Sequence, residues 1–191
     1  MTLRRSISGF ALLLIVTSSV HARQRGELIE RTMAIVGGQA LTLSDVRAAV
    51  ALGLVAELDA AADFAAATPR LIDRMLMLRE VQRYAPPEPE EGLVDRRLGA
   101  IRDRFATPDQ YARALQAGGF SDARLRSWIR DDLRVEAYLT QRFSAVTLPT
   151  DGDPSDPGRD RAASERRAAL IADWLDDLRR RTPVVELWKQ Q

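Results

Sequence analysis

The chain has 191 residues, 46% of them hydrophobic and 29% charged, which suits one compact domain, or one domain with an appendage, built on a real core. Its 28 basic residues nearly balance 27 acidic ones, so no strong positive field points to nucleic acid as a partner. Cysteine is absent, which excludes disulfides, thiolate metal sites and a cysteine nucleophile, and His21 is the only histidine.

Arg4 and Arg5 precede an apolar run from Phe10 to Val16, and Val20, His21 and Ala22 follow with small residues at the positions signal peptidase requires. Residues 1–22 therefore read as a cleavable signal peptide, cut after Ala22. The run is far shorter than the roughly 20 apolar residues of a permanent membrane span, so no stable membrane insertion is expected after cleavage. Processing would also remove the only histidine. A mature chain without histidine or cysteine lacks the commonest general base, transition-metal ligand and strong nucleophile, so binding rather than catalysis becomes the leading class.

Thr32 to Val36 and Gln39 to Leu43 read as two short strands about the Gly37-Gly38 turn. Ser44 is expected to cap a helix in which Val46, Ala49, Val50, Gly53 and Leu54 share one face. Thr68 as cap and Pro69 as first residue are expected to open a second helix, running through Leu71, Ile72, Met75, Leu76, Met77, Leu78 and Val81 to Tyr84. Its apolar residues lie on more than one face, so it should be deeply buried or offer one face to a partner. Val94, Leu98, Ile101 and Phe105 stripe a third helix, and Thr107-Pro108 opens a fourth that stops at Gly118-Gly119. Ser121 caps a long fifth helix bearing Leu125, Trp128, Ile129, Leu133, Val135, Leu139 and Phe143. On it Arg124, Arg126, Arg130 and Arg134 alternate with Asp131, Asp132 and Glu136, the pattern of a solvated helix with i, i+4 pairs.

Residues 149–160 hold three prolines and no apolar periodicity, and read as a solvated linker. A calcium loop fails there, because Asp156 stands where glycine is needed and Ala162 where a bidentate glutamate is needed. Beyond it, Leu170, Ile171, Trp174, Leu175 and Leu178 stripe a sixth helix, with Trp174 expected at its interface with the rest. Thr182 and Pro183 end that helix, and Val184 to Trp188 reads as a final strand. A lone terminal strand needs a partner, and the N-terminal hairpin is the available one. The expected fold is mainly α: a multi-helix domain closed by a small antiparallel sheet formed by the N-terminal hairpin and the C-terminal strand.

The run Ala34-Ile35-Val36-Gly37-Gly38-Gln39-Ala40-Leu41-Thr42-Leu43-Ser44-Asp45-Val46 resembles the opening of the N-terminal domain of SurA-like periplasmic chaperones. The likeness extends through residues 71–84, the stripe to Phe105, the Gly118-Gly119 break and the long helix to Phe143, and resumes from Arg161 to Trp188. It implies a chaperone domain over residues 23–148, completed after the linker by the helix and strand of residues 161–191. Family members usually carry parvulin-type isomerase domains between the long helix and the C-terminal helix; here the 149–160 linker is too short for one, and the turn is Gly-Gly where Asn is frequent.

The resemblance thus implies an ATP-independent periplasmic holdase for unfolded outer-membrane or other exported polypeptides, without prolyl isomerase activity. No glycine-rich phosphate loop followed by lysine is present, so neither nucleotide nor any other cofactor or metal is expected. Adjacent carboxylates such as Asp131/Asp132 point about 100° apart on a helix, poor geometry for shared acid/base work, and no catalytic residue is expected. Met75, Leu78 and Tyr84 are the candidate client-binding residues, methionine being adaptable enough to accept varied sequences. The alternative is a non-catalytic envelope assembly or adaptor subunit that binds one dedicated partner through the same apolar surface.

Overall fold

The computed structural model describes residues 31–55, 64–144 and 157–187. The expected signal peptide, residues 149–156 of the expected linker and Trp188 lie outside the described residues. The described chain runs β1 (Thr32–Val36), β2 (Gln39–Thr42), α1 (Leu43–Ala51), α2 (Phe64–Tyr84), α3 (Glu91–Arg102), α4 (Pro108–Ala117), α5 (Asp122–Arg142), α6 (Pro157–Arg181) and β3 (Val184–Glu186). It is mainly helical with one small antiparallel sheet, of strand order β2-β1-β3.

Gly37 and Gly38 have φ of 54° and 89°, the two positive angles that a two-residue hairpin needs for its twist to match that of its strands. The last strand pairs with the first, Val184 opposite Val36 and Glu186 opposite Ala34. Pro183 C=O accepts from Gly37 N–H at 2.8 Å and Met33 C=O from Leu187 N–H at 2.9 Å, which extends the ladder beyond both ends of β3. The expected closure of the domain by its terminal segments is therefore present.

Three helix starts and one arginine pattern differ from expectation, and α1 and α3 end before Gly53-Leu54 and before Phe105, which were expected on them. Thr42, not Ser44, caps α1: its hydroxyl accepts from Asp45 N–H while the Asp45 carboxylate accepts from Thr42 N–H at 3.0 Å, a reciprocal capping box. Thr68 and Pro69 do not open α2, which already runs from Phe64. Pro69 lies in its second turn, where a missing N–H forfeits one ladder bond, and the buried Thr68 hydroxyl donates back to Phe64 C=O at 2.7 Å. The sixth helix begins at Pro157, inside the expected linker. The charged residues of α5 pair mainly across helices: Arg130 with Glu91 at 2.8 Å, Arg126 with Asp95 and Glu91, Glu136 with Arg97 of α3, and Arg124 with Asp45 of α1 at 2.6 Å. Thr107 and Ser121 cap α4 and α5 as expected, each hydroxyl accepting from the N–H three residues on.

Apolar side chains gather in two clusters. One joins the sheet to α1, α2, the end of α5 and α6, through Ala34, Val36, Leu71, Leu76, Tyr138, Trp174 and Leu178 among others. The other lies between α1, α3, α4 and the start of α5, around Leu52, Leu98, Leu125 and Ile129. Helices α1 and α5 contribute to both, so they tie the halves together. Gly118 lets α4 reach α1, since a Cβ there would fall 2.3 Å from that of Ala48. Trp174 is buried at the seat of α6, its ring 5.9 Å from Tyr138 and 6.1 Å from Phe143. At that seat Arg179 pairs with Asp73 of α2 at 2.6 Å and Arg181 with Glu80 at 3.0 Å.

Candidate functional site

Along α2, Leu71, Arg74, Met75, Leu78 and Gln82 recur at spacings of three and four, so they form one face of the helix. That face forms one wall of a groove enclosing about 260 Å³, with Gln39, Ala40 and Leu41 of β2 as the facing wall and Trp128 and Asp131 of α5 between them. Met75, Leu78 and Trp128 are half-buried and pack on the core below. Leu41 points into the core and Ala40 away from it, yet both line the groove, which places it along the edge of β2 rather than over one sheet face.

The base of the groove is held by Arg74. Its guanidinium carbon lies 3.6 Å from the Trp128 ring centroid, its Nε donates to Asp132 at 2.6 Å and its Nη2 to Trp128 C=O at 3.2 Å. These contacts fix Trp128 face-on to the guanidinium and leave the methionine, leucine and indole carbons as the apolar part of the lining. Burial pushes the Asp132 carboxyl above its ordinary range, with the Arg74 charge opposing that shift. Asp131 is raised for the same first reason, burial, again opposed by Arg74. Asp45 at the groove end is engaged by Thr42 and Arg124.

Of the three expected contact residues, Met75 and Leu78 thus share the groove. Tyr84 does not: it lies at the end of α2, 60% exposed, with its ring 5.4 Å from that of Tyr138. Met33 is core, and Met77 packs against the same cluster. Helical spacing from Leu71 carried the signal for Arg74 and Gln82. No local pattern announces Trp128 and Ala40, which reach the groove from other elements.

A second hollow of about 350 Å³ lies between α1, α3 and α5, lined by Leu54, Ile101 and Ile129. It is rimmed by the Arg97–Glu136 pair and by Arg104, whose guanidinium donates to Leu52 and Gly53 carbonyls at 2.9 and 3.0 Å. Its polar groups are satisfied within the fold, whereas the β2 edge of the first groove is not covered by another strand among the described residues. Among the described residues no group of three or more metal-ligating side chains gathers, and no helix is long and apolar enough to cross a membrane. No protein-family model matches the chain, and no curated protein matches it.

Proposed function

We propose that the chain is an ATP-independent holdase of the periplasm, similar to the chaperone module of SurA-like proteins but without their parvulin domains, binding unfolded outer-membrane or other exported polypeptides. The observation that carries this reading is the β2–α2 groove, where Met75, Leu78 and Trp128 offer adaptable apolar surface beside a strand edge that no other strand among the described residues covers. The pairing of β3 with β1 agrees with the arrangement that the resemblance implies.

Unfolded clients expose apolar and aromatic segments to water, and covering a few hundred Å² of that surface is worth roughly 5–10 kcal/mol before ordering costs. Net affinity is then on the order of micromolar, weak enough for clients to leave without nucleotide hydrolysis. No residue is assigned a catalytic role, and no acceleration of prolyl cis/trans exchange is expected.

Light scattering tests the proposal. The full chain is expected to suppress aggregation of an unfolded outer-membrane β-barrel and of an unrelated unfolded soluble protein, without ATP. Suppression of neither would overturn it, and stable binding to one folded envelope protein instead would favour the adaptor alternative.

A further inference from the structure

The hydrogen-bond phase of the sheet fixes which backbone groups face the groove. Gly37 N–H donates to Pro183 C=O and Leu187 N–H to Met33 C=O, so the hydrogen-bonded pairs of the β1–β3 ladder fall at residues 33, 35 and 37 of the β1 side. Ile35 therefore turns its N–H and C=O toward Val185, away from β2. Ala40, opposite Ile35 in the β1–β2 register, is then in a non-hydrogen-bonded pair and turns its own N–H and C=O outward, over the groove it lines. The next outlet along the strand is already taken, because Thr42 N–H donates to Asp45.

The far wall matches in length. From Leu71 to Gln82 the α2 face spans about 16 Å at 1.5 Å per residue, the length of about five extended residues. Charge in the groove is asymmetric. Asp45 is paired with Arg124 at 2.6 Å and Arg74 with Asp132 at 2.6 Å. Asp131 also feels the Arg74 charge, but Arg74 is hydrogen-bonded to Asp132; the nearest ion-pair contact of Asp131 among the described residues is Arg134 Nη1 at 3.9 Å, and Arg134 also faces Glu88 at 3.8 Å. The lining thus presents a half-buried carboxylate that no cation among the described residues contacts closer than 3.9 Å.

Resting on the holdase reading, we infer that the groove takes an extended segment of unfolded polypeptide as an added strand on β2. Its backbone exchanges two hydrogen bonds with Ala40, its apolar side chains lie on Met75, Leu78 and Trp128, and a lysine or arginine of the segment faces Asp131. This mode reads the main chain, which every unfolded client has, and excludes folded proteins, whose strand edges are paired or protected. The basic residue sets a preference among clients without restricting them to one sequence.

The test uses the full chain and a fluorescent ten-residue peptide of alternating apolar and polar residues with one central lysine, its lysine-to-glutamate twin, and a twin N-methylated along the edge that would face β2. Fluorescence anisotropy is expected to show the lysine peptide binding about three- to tenfold more tightly than the glutamate twin, and N-methylation weakening binding by about tenfold. Ala40→Pro removes the outward N–H at a position outside the β1 ladder, so the sheet persists, as circular dichroism and thermal melting would verify, while peptide affinity falls by about tenfold. Asp131→Asn is expected to equalise the lysine and glutamate peptides.

Equal binding of the N-methylated peptide, or unchanged affinity in a folded Ala40→Pro variant, would overturn the added-strand geometry. If such a variant still suppresses client aggregation in full, the added strand is wrong and the holdase reading stands. If no peptide binds and wild type suppresses no aggregation, both fail. Equal affinity for the two charged twins in wild type would overturn the role of Asp131.

Discussion

Ala85 follows the last turn of α2 with φ of 42°, a conformation that L side chains enter at a cost, and Pro86 leaves it little room to relax. Ala85→Gly removes the Cβ clash, and urea unfolding is expected to show a gain of up to about 1 kcal/mol, reduced by the greater freedom glycine gives the unfolded chain. Asp122 makes the opposite kind of contribution. The Tyr111 hydroxyl and the Arg102 guanidinium donate to it at 2.6 and 2.8 Å and hold its carboxyl below the ordinary 3.8.

Because the folded pKa is depressed, this contribution is present above the unfolded value and is lost as pH falls through the folded one. In urea titrations the stability gap between wild type and Asp122→Asn is therefore expected to be under about 1 kcal/mol at pH 6, since the group is largely exposed, and to narrow as pH falls below 3.8. A gap that widens in acid would contradict the assignment. Single-position signals of this kind were unevenly legible. Thr107 and Ser121 stand alone before their helices and announce themselves as caps. Thr42 and Ser44 are both plausible hydroxyl caps two residues apart, and the choice rests on Asp45 standing three after Thr42, where its carboxylate reaches back.

Helix α6 shows how polar an element can be and still dock firmly. Trp174 and Leu178 are its buried apolar anchors, and the ion pairs from Arg179 and Arg181 to α2 lie beside them. Glu80 is 7% exposed, so its pair with the half-exposed Arg181 is shielded on the carboxylate side, whereas Arg97–Glu136 between α3 and α5 is solvated on both sides. Arg181→Ala is expected to cost about 1–3 kcal/mol by leaving the buried Glu80 charge to Arg83 alone, and Arg97→Ala under about 1 kcal/mol; paired thermal melts distinguish the two. Equal losses would show that burial does not govern these pairs.

The stripes of α3 and α5 were readable because apolar periodicity reports which face meets a core. The start of α2 was misread because Thr-Pro is an N-terminal signature that a helix also tolerates in its second turn. The charge pattern of α5 showed a polar face but not its partners, since sequence spacing within one helix says nothing of carboxylates on α3.

Closure of the domain was the most legible long-range feature, because a lone strand, read over Val184 to Trp188 and observed over Val184–Glu186, cannot persist without a neighbour and only one hairpin was on offer. The groove was half legible. Met75 and Leu78 were found from the broad apolar face of α2, while Tyr84 was assigned to the same surface by its helix alone and lies instead against Tyr138. Trp128 and Ala40 come from α5 and β2, and they meet α2 only through packing that no local periodicity encodes.

The fold thus sets an apolar helix face, a strand edge and one weakly paired carboxylate around a single groove, the combination on which the binding of unfolded chains is proposed. The most direct measurement places a photo-crosslinking side chain at Leu78 in the groove and, separately, at Leu93, an exposed leucine on α3 that does not line it. The account predicts crosslinks from position 78 to several unrelated unfolded polypeptides and few from position 93. Equal labelling from both positions, or labelling from 93 alone, would contradict it.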